Sequence, residues 1–137
     1  MIIQLVHEPV AADPLMESIT PPECGAVVNF LGVVRNQHHG RQVLRLEYSA
    51  YESMALAKMQ QIAAQLKERW PVHDLAMVHR LGTLEIGDTS ICIALSLPHR
   101  SDGFEALRYA IDTFKEEVPI WKKEYFADGE ARWVEGS

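Results

Sequence analysis

A chain of 137 residues, 47% apolar and 23% charged, has the size and composition of one globular domain with its own core. Its net charge of −6 excludes general nucleic-acid binding, which needs a basic excess to neutralise phosphates. No stretch is long enough to span a bilayer, and residues 1–6 lack the basic region and long apolar run of a secretory signal, so a cytoplasmic domain is expected.

Residues 1–7 read as a strand. Asp13-Pro14 followed by Glu17 starts a short helix, with Asp13 as N-cap, and Pro21-Pro22 comes after it. Residues 24–35 form an apolar, β-branched strand with a bulge expected at Gly32. Gln37-His38-His39-Gly40-Arg41 reads as a polar, mobile loop. Residues 43–50 alternate, Leu44, Leu46 and Tyr48 against Arg45 and Glu47, as in a strand with one wet face. A second helix over 53–70 carries Ala55, Met59, Ile62, Ala63, Leu66 and Trp70 at helical spacing and is stopped by Pro71. Strands near 74–81 and 89–97 are separated by turn residues Gly82 and Gly87-Asp88. A third helix over 102–118 aligns Phe104, Leu107, Ile111, Phe114 and Val118 as a core stripe. Strands near 120–126 and 131–135 flank Asp128-Gly129, a hairpin signal. No repeat or linker divides the chain. Residues 1–137 are expected to form a single α+β domain, a mostly antiparallel sheet covered by two main helices.

Cys24 and Cys92 match no C-x-x-C pattern and fall in apolar runs, so buried free thiols are expected. The six histidines show no ligand spacing, and no metal site is expected.

The strongest chemical signal lies in residues 114–124. Pro119 should end the third helix and turn the chain into a strand, leaving Lys115 in the last helical turn and Lys122 just past the break. Two ammonium groups brought together this way can depress each other's pKa and serve in proton transfer or anion holding. The plainer alternative is a pair of solvating lysines at a helix C-terminus. Lys115 borders the apolar stripe, a position that can be partly desolvated. His99 and Arg100 sit beside the N-terminus of the same helix, with Ser101 or Asp102 as its cap, where free N–H groups attract anions and arginine adds a planar fork for phosphate. From that segment alone, a surface ion pair weighs equally. Arg35 closes an apolar strand before the polar loop. Together, Arg35, His99, Arg100, Lys115 and Lys122 suggest a pocket for a small phosphorylated or carboxylated ligand in an acidic protein. No nucleophile motif, no phosphate-binding Gly-rich loop and no cysteine in an electropositive turn accompanies them.

Gly25-Ala26-Val27-Val28-Asn29-Phe30, Val34-Arg35-Asn36, Leu46-Glu47-Tyr48 and Tyr51-Glu52-Ser53-Met54 form an ordered motif series. It continues through His79-Arg80-Leu81-Gly82, His99-Arg100, Lys115, Pro119-Ile120-Trp121-Lys122-Lys123-Glu124 and Arg132-Trp133-Val134-Glu135. From Cys24 onward the chain resembles the catalytic (large) subunit of molybdopterin synthase, the MoaE family. The resemblance implies an α/β-hammerhead fold and a sulfurtransferase of molybdenum cofactor biosynthesis that uses no cofactor of its own. It implies cyclic pyranopterin monophosphate as substrate and a small ubiquitin-like partner that delivers sulfur as a C-terminal thiocarboxylate. Two catalytic subunits would form the central dimer of a heterotetramer. By position, Lys115 matches the family's essential lysine, assigned general acid/base work, and Lys122 the second, orienting substrate or tail. Arg35, His99 and Arg100 match the pterin-phosphate pocket, with Val33, Val34, Lys123 and Glu124 as neighbours there. Gly103 stands where relatives often carry alanine, and some relatives continue past Ser137.

A non-catalytic anion-binding scaffold, or a paralogue acting on a different pterin, would use the same cationic set. Threading of a partner's tail leads to the expectation of an exposed apolar groove near Phe30, Ile120 and Trp121.

Overall fold

Two apolar runs without polar alternation, residues 75–78 and 91–95, decide the architecture, because strands of that kind must be covered on both faces. The computed structural model describes residues 1–135; Gly136 and Ser137 lie outside the described residues. In chain order its elements are β1 (Ile2–Val6), α1 (Ala12–Ile19), β2 (Ala26–Val33), β3 (Gln37–His38), β4 (Arg41–Ala50), α2 (Glu52–Arg69), β5 (Asp74–Arg80), β6 (Gly82–Glu85), β7 (Thr89–Leu97), a 3₁₀ turn (Arg100–Asp102), α3 (Gly103–Glu117), β8 (Ile120–Phe126) and β9 (Ala131–Glu135). None of these helices is long and apolar enough to cross a membrane.

The expected α+β, mostly antiparallel arrangement is present, and its strands divide between two sheets. One has the order β1-β5-β7-β2, in which the β1–β5 pairing is parallel and the other two antiparallel. In the other, β4 carries β8 along one edge and β6 along the other, β3 folds back on its first residues, and β9 pairs with β8. The two main helices, α2 and α3, cover one face of the first sheet. Ala55, Met59, Ile62 and Leu66 of α2 meet Leu75, Met77, Ile93 and Leu95 in the principal core, shared with Leu46, Tyr48 and Ile120 of the second sheet. Trp70, half-buried at the end of α2, packs 5.4 Å from Tyr109, whose hydroxyl donates to Gln65 Oε1 at 2.6 Å and so joins α2 to α3. The short α1 covers the opposite face, packing on Ala76, Cys92 and Ala94. That third cover explains the unbroken apolar runs of β5 and β7.

Several local expectations are corrected. Residue 11, not Asp13, occupies the N-cap of α1, and Asp13 lies in its first turn. The 37–41 segment is an ordered hairpin, and β6 is an additional strand. A register shift between Val43 and Arg45 turns Val43 inward and leaves Leu44 exposed, so the inward face of β4 is Val43, Leu46 and Tyr48. Along α3, Phe114 and Val118 are buried and Leu107 and Ile111 pack against the core as expected, but Phe104 is 71% exposed, and Gly103, Ala106 and Ala110 complete the buried stripe. Small residues win here because the helix lies close to β2. A Cβ on Gly103 would meet Val28 Cγ1 at 3.0 Å, so glycine improves the fit where it weakens helix propensity. Asp102 sits at the N-cap of α3 without a side-chain capping bond. The expected bulge at Gly32 is present as a register shift between Gly32 and Val33. Both cysteines are free, Cys92 buried and Cys24 half-buried.

Candidate active site

The chain crosses from α3 to β8 at Pro119, and the crossing sets the two lysines on adjacent walls of one hollow. Helix α3 ends at Glu117, with Val118 already extended, so Lys115 occupies the last turn. In β8 side chains alternate: Ile120 and Phe126 are buried, Lys122 and Glu124 line a cavity of about 360 Å³, and Trp121, Lys123 and Tyr125 point to the other face. Tyr48 and Leu46 lie directly across from Lys122 and Glu124 on β4. The third wall comes from the end of β2, with Phe30, Val33, Val34 and Arg35.

That end of β2 is held firmly. Val34 N–H donates to Asp88 O at 2.9 Å, and Gly87 N–H to Val34 O at 2.8 Å. Ser90 Oγ donates to Gly32 O at 3.1 Å. Gly32 is required for this closeness, since a Cβ would fall 2.6 Å from Ile91 Cγ2 and 3.1 Å from Ser90 Oγ.

Burial lowers the pKa of Lys122, the carboxylate of Glu124 raises it, and the charges of Lys115 and Arg35 lower it. The desolvation expected at Lys115 thus falls on Lys122 instead, with Lys115 exposed at the rim. Burial likewise lifts the Tyr48 phenol, with the neighbouring Ser90 hydroxyl opposing and Glu124 adding to the rise. Glu124 is only 3% exposed, and its Oε1 accepts from His38 Nδ1 at 2.6 Å. Below the cavity, His79 stacks on Phe114 with centroids 5.9 Å apart and meets the edge of Tyr48 at 4.8 Å. Its Nδ1–H donates to Arg80 O at 2.8 Å, and burial lowers its pKa to about 4.

The cavity therefore brings together Val33, Val34, Arg35, Lys115, Lys122 and Glu124. It does not contain Lys123, whose Nζ lies 5.2 Å from the Tyr125 ring and 5.7 Å from the Trp133 ring on the outer face of β8. His99 and Arg100 line a different hollow of the same chain with Gly25, Pro98 and Ser101. The apolar groove expected from Phe30, Ile120 and Trp121 is not formed. Ile120 is core and Trp121 faces away, leaving Phe30 beside Leu31, Val33 and Val34 as the apolar wall. Ser90 and His38 carry no motif of their own, and Tyr48 belongs to the Leu46-Glu47-Tyr48 motif, which by itself gives it no place in the pocket. The alternation of β4 is the signal that could have placed Tyr48 there. Among the described residues, no group of three or more His, Cys, Asp or Glu is placed to hold a metal ion. Three cations around a half-open, partly apolar hollow suit a small anionic ligand carrying a ring.

The family model described as MoaE protein matches residues 5–117. The molybdopterin synthase catalytic subunit of Halalkalibacterium halodurans is 45% identical over 130 residues, spanning 95% of this chain and 83% of that protein. The corresponding subunit from Nostoc sp. is 51% identical over 111 residues, 80% of this chain and 67% of that protein. The crystal structure of molybdopterin synthase from Staphylococcus aureus superposes with a TM-score of 0.90 at 42% identity, covering 96% of each chain.

Proposed function

We infer that this chain, which belongs to the MoaE protein family, is the catalytic subunit of a molybdopterin synthase. It moves sulfur from the thiocarboxylated C-terminus of a small ubiquitin-like partner to cyclic pyranopterin monophosphate. Each transfer exchanges sulfur for oxygen: the carbon–sulfur bond at the partner's tail and a carbon–oxygen bond of the substrate side chain break, a carbon–sulfur bond forms at that substrate carbon, and water supplies the oxygen with which the tail ends as a carboxylate. Two transfers give the dithiolene. The observation that carries this reading is the convergence of Arg35, Lys115 and Lys122 on one cavity. The reaction needs stabilised oxyanion and phosphate charge and no protein nucleophile, since the partner brings the sulfur.

Lys115, at the rim, is the general acid/base beside the incoming thiocarboxylate. Lys122, deeper and desolvated, holds substrate with Arg35, and Glu124 keeps its charge in balance. Val33 and Val34 supply the apolar wall. Two copies form the centre of a heterotetramer. In this reading His99 and Arg100, outside the cavity of their own chain, bind substrate at the neighbouring copy's site, with Lys123 as a flanking cation. Residues 1–137 act as one domain. A cytoplasmic location is supported by the two free thiols, the ordinary state in a reducing compartment.

The test reconstitutes the chain with cyclic pyranopterin monophosphate and a thiocarboxylated small subunit and measures molybdopterin. Lys115→Ala should lower turnover by about a hundredfold or more while partner binding survives. A variant that binds the partner and turns over at the wild-type rate would return the scaffold reading.

A further inference from the structure

We propose that His38 is a positioning residue of the sulfur-transfer site, which holds the Glu124 carboxylate in place beside Lys122 from the β3–β4 hairpin. The inference rests on the function given above. The side chain of Glu124 is almost fully enclosed, and a buried polar group is costly unless it is hydrogen-bonded. Among the described residues its hydrogen-bond partner is His38, at 2.6 Å. The carboxylate accepts, so Nδ1 carries the proton.

The hairpin is built to deliver that ring. His39 and Gly40 have φ of 51° and 77°, the left-handed pair of a two-residue turn that matches strand twist and sets His38 opposite Arg41. Arg41 ties the same hairpin to the β8–β9 corner. Its guanidinium lies 3.7 Å over the Phe126 ring and donates to Asp128 and Glu130, each at 2.7 Å. Gln37, the residue before His38, already lines the cavity. Two anchors from one rigid turn thus fix the hairpin: Arg41 at the outer corner, and His38 on a carboxylate inside the site. That carboxylate opposes the burial that lowers the pKa of Lys122, so its orientation bears on the charge of a substrate-holding lysine.

The test is a double-mutant cycle in the reconstituted synthase with His38→Ala, Glu124→Gln and the pair, together with His38→Asn, whose amide places an N–H near the Nδ1 position. His38→Ala should lower kcat/KM roughly tenfold, the scale of one charge-assisted hydrogen bond. His38→Asn should recover most of that loss, and His38→Ala should add little in the Glu124→Gln background. Effects that multiply independently, or an asparagine variant as poor as alanine, would overturn the proposal. A crystal structure of His38→Ala reads the same point without turnover: Glu124 swung from its place supports it, and Glu124 unmoved refutes it. A wild-type complex that makes no molybdopterin would instead remove the functional reading.

Discussion

Acidification should unseat the floor of the cavity through His79. The ring is enclosed between Tyr48 and Phe114, and burial lowers its pKa from 6.5 to about 4. A folded-state pKa below the unfolded value means that the unfolded chain binds more protons at mildly acidic pH. Its stabilising contribution is therefore complete above pH 6.5 and is lost as pH falls toward 4. Between pH 7 and pH 5 the loss amounts to about 2 kcal/mol, rising to about 3 kcal/mol once both states are protonated. Asp74, whose pKa is lowered by its contact with the N-terminal amine and the Leu75 N–H against the opposing effect of burial, loses its contribution only below its ordinary 3.8, outside this window. Urea unfolding at pH 7, 6 and 5 would be measured for the wild type and for His79→Leu. The variant starts lower, because the Arg80 carbonyl loses its donor, but it should decline by about 2 kcal/mol less over the range. Parallel decline of the two proteins would show that His79 is not the group being charged.

Two further substitutions test the cavity wall and its assembly. Gly32→Ala places a Cβ 2.6 Å from Ile91 Cγ2, an overpacking that should cost about 1–3 kcal/mol and lower the melting temperature, and an unchanged melting curve would refute the close approach. If His99 and Arg100 serve the neighbouring copy, Lys115→Ala and Arg100→Ala subunits should complement after mixing. Random pairing makes half of the dimers mixed, each with one intact site of two, so activity should return to about a quarter of the wild-type level. No recovery would put Arg100 in the service of its own chain or of neither.

What was legible follows from how local each signal is. Helix α2 could be read because its apolar residues recur over five turns, and Pro119 fixed the break between α3 and β8 through its own ring. The start of α3 could not be read from large apolar residues, although Leu107, Ile111, Phe114 and Val118 do face the core. Close approach to β2 favours Gly103, Ala106 and Ala110, and volume-based patterning points to Phe104 instead. Leu44 misled for a similar reason, since one extra residue in a strand inverts every side chain before it. In the site, Lys115, Lys122 and Arg35 were legible as cations at element ends. His38 was hidden by its setting among polar residues: only the hairpin turn and a carboxylate 86 positions away give it a role.

The charge pattern accounts for the choice of substrate better than any single residue does. A chain of net charge −6 repels polyanions at long range, which keeps nucleic acid away from the site. Within the cavity, Arg35, Lys115 and Lys122 act over a few ångströms against the single carboxylate of Glu124, leaving a local positive excess. A small monophosphate is compact enough to enter that excess without meeting the acidic surface. The same arithmetic limits the lysines. Burial alone would drive Lys122 toward its neutral form, and removing the Glu124 charge would drive it further. Glu124 therefore favours the charged form of Lys122, and His38, hydrogen-bonded to Glu124, is placed to act on the same balance.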